Sequence, residues 1–262
     1  MPRIKFTVAY DGTDFCGWQR QNHLGAKPSV CQTIQTGLEK VFNQPISLFA
    51  SGRTDAGVHA LNQVCHFDVE RPVERLKGFN LSLALKGHLP QSISIKKAWI
   101  APEDFHSTVS PDKKTYRFLV LNTPSPSVFM GRYSQWVRKP LNLDFLNECS
   151  KIVLGNQDFK SFQSVGSDVP HTVREIYEAH WTQRRPHIAQ FTITGSGFLK
   201  QMVRNIVGTQ LLLERKGLKA GQMRDIIEAR DRKAAGPPAE PQGLFLMRVY
   251  YPQDLDNRCR EL

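Results

Sequence analysis

The sequence predicts an α+β fold made of two similar α/β halves that share a mainly antiparallel sheet flanked by helices. In several short segments apolar and polar residues alternate, as in strands with one buried face, while other segments repeat apolar residues at helical intervals. A turn-rich break at 122–127, Asn-Thr-Pro-Ser-Pro-Ser, separates two runs of these segments that have a similar order. We therefore expect an N-terminal half at 1–105 and a C-terminal half at 106–262.

The N-terminal half begins with an alternating segment that ends at the turn-forming pair Asp11 and Gly12. Ser29 and Gln32 have the spacing of a capping box, which predicts the start of an amphipathic helix. The expected elements are a strand at 4–10, a helix at 30–42, strands at 45–50 and 62–68, a helix at 74–86 and a strand from 93.

The C-terminal half begins with an alternating segment that places Tyr116, Phe118 and Val120 on one face of a strand. By itself, such a tyrosine is typical of a core position. The expected elements are a strand at 113–118, a helix at 143–154, strands at 174–182 and 187–194, a helix from 199, a Pro-rich loop at 234–242 and a strand at 243–251.

The composition favours a polyanionic partner. The 262 residues include 35 Lys or Arg and 24 Asp or Glu, which gives a formal net charge of +11 and a pI near 9.6. Residues 195–233 contain nine Lys or Arg against four acids and form a candidate RNA-facing patch. Nucleic acid fits this charge better than a membrane does, because no Lys-rich amphipathic helix stands out.

The cysteine pattern and the lengths of the apolar runs indicate the cellular compartment of the protein. The five cysteines are scattered without a Cys-x-x-Cys pair, which favours reduced thiols over a disulfide framework or a zinc site. His59, Cys65 and His66 lack the usual spacing of metal ligands, so we interpret them as structural. No apolar run approaches the roughly 18 residues of a membrane span. We expect a cytoplasmic protein with no metal site and no membrane partner.

The stretch at 51–60, Ser-Gly-Arg-Thr-Asp-Ala-Gly-Val-His-Ala, connects two predicted strands and contains one acid, Asp55. Its glycines allow positive φ or the close approach of another molecule, which suits a carboxylate presented to a ligand. The alternative is that Thr54 or Asp55 caps a short helix and that Arg53 is a solvated surface charge. Composition alone supports the two interpretations equally.

The loop after the first strand also has two interpretations. Tyr10, Phe15 and Trp18 are interleaved with Arg20 and with glycines. This mixture offers stacking faces and a phosphate contact to RNA. The alternative is that the three rings belong to the core.

A Gly-x-Gly at 195–197 precedes the helix expected from 199. Such a pattern can cradle a phosphate, but the Gly-Lys-Ser/Thr and the full Gly-x-Gly-x-x-Gly are both missing, so we expect no nucleotide cofactor. Lys200 and Arg204 border the predicted buried face of the helix. By itself this pattern favours an exposed arginine at the helix edge.

Residues 52–60, Gly-Arg-Thr-Asp-Ala-Gly-Val-His-Ala, resemble the signature of the bacterial tRNA pseudouridine synthase A family. Four further segments resemble motifs of that family in the same order. They are Tyr-Asp-Gly-Thr-Asp-Phe-Cys-Gly-Trp-Gln at 10–19, Lys-Lys-Thr-Tyr-Arg-Phe at 113–118, Gly-Phe-Leu-Lys-Gln-Met-Val-Arg-Asn-Ile-Val-Gly at 197–208 and Gly-Leu-Phe-Leu at 243–246. The resemblance therefore extends over most of the chain.

The resemblance implies an isomerase that converts uridine to pseudouridine at positions 38, 39 and 40 in the anticodon stem-loop of tRNA, without a cofactor and as a homodimer. It also implies two ferredoxin- or RRM-like halves with the active cleft between them. Asp55 would be the catalytic nucleophile, although the residues alone leave open whether it attacks or acts as a base. Tyr116 would pack on the target uracil, and Arg204 would pair with Asp55. Leu244 would line the uridine pocket, and Arg53 would help to hold the displaced nucleotide.

Two other classes of function compete with the isomerase. A non-catalytic RNA-binding module would explain the charge but would not need Asp55, Tyr116 and Arg204 together. A hydrolase or phosphotransferase would require a second carboxylate or a metal set near Asp55, and the nearby acid in the sequence is Asp68, across a strand. We rank both below the isomerase.

Overall fold

The computed structural model describes residues 1–19, 27–166 and 169–262. The strands in these ranges are β1 (Arg3–Tyr10), β2 (Phe49–Ala50), β3 (His59–Asp68), β4 (Ile93–Ala101), β5 (Lys113–Asn122), β6 (Gln135–Val137), β7 (Gly155–Asp158), β8 (Val173–Arg185), β9 (Ile188–Gly195), β10 (Leu244–Tyr250) and β11 (Arg260–Glu261). The α-helices are α1 (Val30–Phe42), α2 (Leu81–Leu85), α3 (Leu143–Ile152), α4 (Met202–Arg215), α5 (Gln222–Ala229) and α6 (Gln253–Asn257). The predicted α+β class is confirmed.

The chain forms two compact units. The first contains Met1–Asp112 together with Leu246–Leu262, and the second contains Lys113–Phe245. The sequence places the last 17 residues of the chain, 246–262, in the C-terminal half, whereas the structure groups them with the N-terminal residues. β11 pairs with β4, and the Lys5 ammonium lies 2.5 Å from Asp256 of α6. These contacts join distant parts of the chain, so no local pattern reveals them.

The sheet of the first unit is antiparallel around β1, which lies between β3 and β4. The alternation that predicts β1 places Ile4, Phe6 and Val8 inside, each with 0% exposure. α1 begins where the sequence predicts, because the Ser29 side chain accepts a hydrogen bond from the Gln32 backbone N–H at 3.1 Å.

The sheet of the second unit has the order β5-β9-β8-β7, and these neighbours are antiparallel. β6 adds to β5 in the parallel direction, so the sheet is mixed. Phe118 of β5 pairs with Phe191 of β9, and both side chains are fully buried. The predicted strands at 113–118 and 174–182 are confirmed with a longer extent, and the strand predicted at 187–194 is confirmed with a shift of one residue.

The helix predicted at 74–86 is wrong. The segment instead contains a 3₁₀ turn, Val73–Leu76, and the short helix α2. Gly78 has φ +72° between them, a conformation that ends a helix. The Asn80 side chain then accepts a hydrogen bond from the Leu83 N–H at 2.9 Å and starts a new helix. The apolar periodicity spans two short elements because both of them pack on the same core.

None of the helices within 1–19, 27–166 and 169–262 is long and apolar enough to span a membrane. Those same residues include no group of three or more His, Cys, Asp or Glu that could hold a metal ion. His59, Cys65 and His66 are buried and 2% exposed or less. Their side chains thus belong to the interior of the first unit.

Candidate active site

The residues that carry Asp55 form the aspartate loop, residues 51–58, between β2 and β3. Its first residues are hydrogen-bonded to β3. Ser51 N donates to Val64 O at 2.8 Å, and Ser51 Oγ donates to Gln63 Oε1 at 2.5 Å. Gln63 Nε2 in turn donates to Gly52 O at 2.7 Å. The start of the loop is therefore fixed to a buried strand.

The middle of the aspartate loop is held by the segment that follows β1. Trp18 N donates to Thr54 O at 3.0 Å, and the hydroxyls of Tyr10 and Thr54 are 2.9 Å apart. Gly17 forms a β-bridge with Asp55. Gly17 has φ +108°, and a Cβ there would lie 2.7 Å from Thr54 O, so a side chain at this position would disturb the loop.

Tyr10, Phe15 and Trp18 are each 4% exposed. The interpretation of these rings as stacking faces for RNA is therefore wrong, and the core alternative is confirmed. The Tyr10 and Trp18 rings lie 5.9 Å apart, and both residues are hydrogen-bonded to Thr54 of the aspartate loop. Arg20, the proposed phosphate contact, lies outside the described residues.

The end of the aspartate loop is a tight turn. Val58 N donates to Asp55 O at 3.1 Å, and Gly57 has φ +77°. β3 starts at His59, so the alternative in which Thr54 or Asp55 caps a short helix is wrong. The turn leaves Asp55 partly exposed and Arg53 exposed. A carboxylate on so rigid a turn is preorganised for a ligand.

The turn is also clamped by residues 11 and 12. A Cβ on Gly12 would lie 2.0 Å from Val58 O, so only glycine fits there. Gly12 N donates to His59 Nδ1 at 3.1 Å, and Asp11 Oδ1 is also 3.1 Å from that nitrogen. His59 therefore supports the turn, in agreement with its interpretation as a structural residue.

Tyr116 lies in β5 opposite Ile193 of β9 and is 8% exposed. Its ring contacts Phe198 edge to face, with ring centroids 5.1 Å apart and an interplanar angle of 82°. Aromatic pairs of this geometry fix the orientation of a ring. Phe198 comes from the segment that links β9 to α4, so two of the sequence motifs meet at this contact.

Lys114 is a residue that the sequence did not single out. It lies two positions before Tyr116 and therefore on the same face of β5. Burial lowers the pKa of Lys114 to about 8. The alternating pattern of β5 could have identified Lys114, because alternate residues of a strand share one face and residue 114 therefore lies beside residue 116.

Arg204 of α4 is only 8% exposed, whereas Lys200 is exposed. The interpretation of Arg204 as an ordinary exposed arginine at the helix edge is therefore wrong. Its Nε donates to Ala239 O at 2.8 Å, and Ala239 N donates to Arg204 O at 2.9 Å. The Pro-rich loop thus lies along α4 and holds the guanidinium in place.

Leu244 is the first residue of β10 and is 6% exposed. A 3₁₀ turn, Pro241–Gly243, precedes it. A Cβ on Gly243 would lie 2.5 Å from Cζ of Phe118, so the turn packs directly on that ring. The position of Leu244 is thereby tied to β5, the strand of Tyr116.

The Gly-x-Gly at 195–197 is not at a helix N-terminus. Gly195 belongs to β9, and α4 begins at Met202 after Gln201, which has φ +59°. A Cβ on Gly195 would lie 2.8 Å from Glu175 O, so this glycine permits close strand packing. The pattern therefore has a packing role.

The structure brings Arg53 and Asp55 together in one loop of the first unit. Tyr116, Arg204 and Leu244 all lie in the second unit, on β5, α4 and the start of β10. In chemical terms, Asp55 of the first unit supplies a carboxylate on a fixed loop, which can act as a nucleophile or a base. The residues of the second unit supply a ring (Tyr116), a buried cation (Arg204) and an apolar side chain (Leu244).

The chain is similar to proteins of known activity. The sequence profile of the family described as tRNA pseudouridine synthase matches residues 7–108 and 150–252. The tRNA pseudouridine synthase A of Bdellovibrio bacteriovorus is 64% identical over 264 residues, covering 99% of each chain. The proteins of that name from Bacillus subtilis and from Lactococcus lactis subsp. lactis are 39% and 36% identical, covering 95% and 98% of this chain and 99% and 100% of theirs. The chain belongs to the tRNA pseudouridine synthase family.

Proposed function

We propose that this protein, a tRNA pseudouridine synthase and therefore an isomerase, forms pseudouridine at positions 38, 39 and 40 in the anticodon stem-loop of tRNA, with Asp55 as its catalytic carboxylate. The observation that carries the proposal is the aspartate loop. Asp55 is the acid of the family-like signature, and hydrogen bonds from β1, β3 and Trp18 fix the loop that presents it. A surface acid without a catalytic role would not need this support.

The reaction requires no change of oxidation state. The bond between the ribose C1′ and N1 of uracil breaks, the base turns, and a bond from C1′ to C5 forms. The proton on C5 is lost, and N1 gains one. Asp55 can attack the sugar or the base as a nucleophile, or it can remove a sugar proton as a base. We propose the nucleophilic role.

The other site residues have supporting roles in this proposal. A uracil stacked within the stem is out of reach, so the nucleotide must be flipped into the site. Tyr116 packs on the flipped ring, and Leu244 closes the pocket around it. Arg204 pairs with the Asp55 carboxylate and favours its ionised form. Arg53, which is exposed beside Asp55, holds the displaced nucleotide or its phosphate.

The proposal includes the assembly and the compartment. Following the family resemblance, the enzyme acts as a homodimer on tRNA in the cytoplasm. The net charge of +11 supports a polyanionic substrate. In this proposal, as the family resemblance implies, the active cleft lies between two α/β halves.

The test compares Asp55→Asn with the wild type on an unmodified tRNA transcript. Carbodiimide labelling followed by primer extension maps each pseudouridine that forms. We expect the variant to make no product and to bind tRNA within a few-fold of the wild type, because the lost group performs chemistry and does not contact phosphate.

Glu74→Gln is the matched control, since Glu74 is an exposed carboxylate of the same unit that lies outside the five motifs. It should retain full activity. Near-normal product formation by Asp55→Asn would remove this residue from the mechanism. tRNA binding without product from the wild type would favour the alternative, a non-catalytic RNA-binding module.

A further inference from the structure

A concave surface of the second unit lies next to the motif at 197–208. It is formed by the segments 160–166 and 230–232 and encloses about 290 Å³. We refer to it as the basic pocket, because Lys160, Arg230 and Arg232 line it together with one acid, Asp231. Small-molecule sites are mostly apolar and occupy roughly 300–1,000 Å³. The basic pocket is smaller and more highly charged, which suits one anionic group of a larger molecule.

The base of the pocket is rigid. Arg232 NH2 donates to Asn205 Oδ1 at 3.0 Å, and Asn205 Nδ2 donates to Phe162 O at 2.7 Å. Asn205 has 0% exposure and follows Arg204 in α4. The two pocket segments are thus joined through one buried amide, so their cationic side chains start from fixed backbone positions.

The wall at 164–166 is held by a fourth cation, Lys200. Lys200 Nζ donates to Val165 O at 2.9 Å and to Gly166 O at 3.4 Å. Its backbone also takes part, since Ser164 N donates to Lys200 O at 3.1 Å. Lys200 therefore shapes the pocket and adds positive charge at its edge.

The acids near the pocket are already engaged. Asp158 Oδ2 lies 3.3 Å from Arg230 Nε, while Asp158 Oδ1 accepts from Lys160 N at 3.1 Å. Asp231 Oδ1 accepts from Lys233 N at 2.9 Å and caps the 3₁₀ turn at Arg232–Ala234. The Arg230 side chain remains 66% exposed despite its ion pair. The pocket therefore presents net positive charge to solvent.

We infer that the basic pocket binds a phosphodiester group of the RNA strand, through Lys160 and Arg230 with Arg232 at its base. Arginine and lysine are the side chains that contact phosphate oxygens, and such contacts position a nucleic acid without reading its sequence. The inference rests on the proposed function, since it assigns part of the tRNA contact to this surface. Within the candidate RNA-facing patch at 195–233, the inference assigns the phosphate contact to Arg230 and Arg232. It adds Lys160, which lies outside that range.

The experiment measures tRNA binding in the Asp55→Asn background, so that the result does not depend on catalysis. Fluorescence anisotropy of a labelled, unmodified tRNA gives Kd at several KCl concentrations. The test variant combines Lys160→Ala with Arg230→Gln. The control combines Arg215→Gln with Lys216→Ala, which removes the same charges near the C-terminal end of α4, roughly 15 Å along the helix from Asn205.

We expect the pocket variant to raise Kd on the order of tenfold and to reduce the slope of log Kd against log salt by about one to two, as loss of two phosphate contacts requires. The control should change Kd by less than about twofold. An unchanged Kd in the pocket variant would overturn the inference. An equal rise in both variants would also overturn it, because the charge would then act without a defined site.

Two further measurements cover other outcomes. Lys160→Ala alone replaces an exposed side chain and should raise Kd about threefold even if the double variant fails to fold, and no rise would contradict the inference.

Calorimetry with inorganic phosphate separates an RNA strand from a small phosphate compound. Saturable phosphate binding that is lost in the pocket variant, with unchanged tRNA binding, would assign the pocket to a free phosphate and overturn the RNA assignment. If the Asp55→Asn protein binds no tRNA at all, the proposed function itself fails.

Discussion

Arg204 and Ala239 are joined by two hydrogen bonds of opposite direction. The side-chain Nε of Arg204 donates to the Ala239 carbonyl at 2.8 Å, and the Ala239 N–H donates to the Arg204 carbonyl at 2.9 Å. A buried guanidinium is thereby held by a Pro-rich loop with little secondary structure of its own. Such a contact leaves the remaining guanidinium nitrogens in a fixed orientation.

We expect Arg204→Ala to lower the single-turnover rate on the order of a hundredfold, because a fixed cation that stabilises charge at an active site is lost. Under the proposed pairing, the guanidinium also favours the ionised Asp55 carboxylate. The pH at which the rate is half-maximal should therefore move upward in Arg204→Ala. The measurement is the pH dependence of the single-turnover rate.

Arg204→Lys should restore only part of the activity, since an ammonium does not replace the planar fork. Arg224→Ala on α5 removes an exposed arginine from the same unit and serves as the control. An unchanged rate and pH profile in Arg204→Ala would limit the motif at 197–208 to packing.

Tyr116 contacts Phe198 edge to face, so its ring and its hydroxyl can be tested separately. Tyr116→Phe keeps the ring and removes the hydroxyl alone. Tyr116→Leu loses the planar face and should destabilise the protein by about 1 kcal/mol. Because the proposal assigns the packing role to the ring, the rate should fall further in Tyr116→Leu than in Tyr116→Phe. Equal losses in the two variants would assign the role to the hydroxyl instead.

Gly208 lies where α4 meets the Pro-rich loop, and a Cβ there would lie 1.9 Å from Pro237 O. Gly208→Ala should therefore displace the loop that holds Arg204. We expect a loss of about 1–3 kcal/mol in stability, which corresponds to a fall of roughly 2–12 °C in Tm for a chain of this size, together with lower activity. Gly221→Ala is the control, because a Cβ at Gly221 meets nothing within 4 Å. Equal Tm values for the two variants would show that the loop adjusts without cost.

His66 makes stability depend on pH. Burial lowers its pKa to about 4, Arg3 and His106 act in the same direction, and Asp68 opposes them. The unfolded chain takes up a proton near pH 6.5 that the folded chain takes up only near pH 4, so stability falls as the pH falls through this window. From pH 7.5 to pH 5 the loss should be about 2 kcal/mol in urea unfolding.

His66→Gln should reduce this loss, whereas His88→Gln, which changes an exposed histidine, should leave it unchanged. Asp68 does not confuse the measurement, because its hydrogen bond with Arg3 lowers the pKa of this carboxyl below its ordinary value. Its contribution to stability is therefore lost at a lower pH than the window used. The same pH dependence in wild type and His66→Gln would contradict the assignment.

The sequence by itself determined the local elements and the position of the candidate catalytic acid. The alternation at 4–10 and the cap at Ser29 are local patterns, and both correspond to the observed β1 and α1. Asp55 could be singled out because a nine-residue signature surrounds it. Such features depend on residues that are close in sequence, so they can be recognised without knowing which distant residues pack against them.

Only the tertiary structure decided which side chains are buried and by what. The helical pattern of residues 199–207 predicted that Arg204 lies at the edge of a helix. Its burial comes from the Pro-rich loop, in which Ala239 lies 35 residues later in the chain. Tyr10 and Trp18 lie in the interior, and both are hydrogen-bonded to Thr54 of the aspartate loop, which lies far from them in sequence. The grouping of Leu246–Leu262 with the first unit likewise depends on pairs such as Lys5 and Asp256, which are 251 residues apart. Periodicity shows that a residue has a buried face, but the partner that covers this face is chosen by long-range packing.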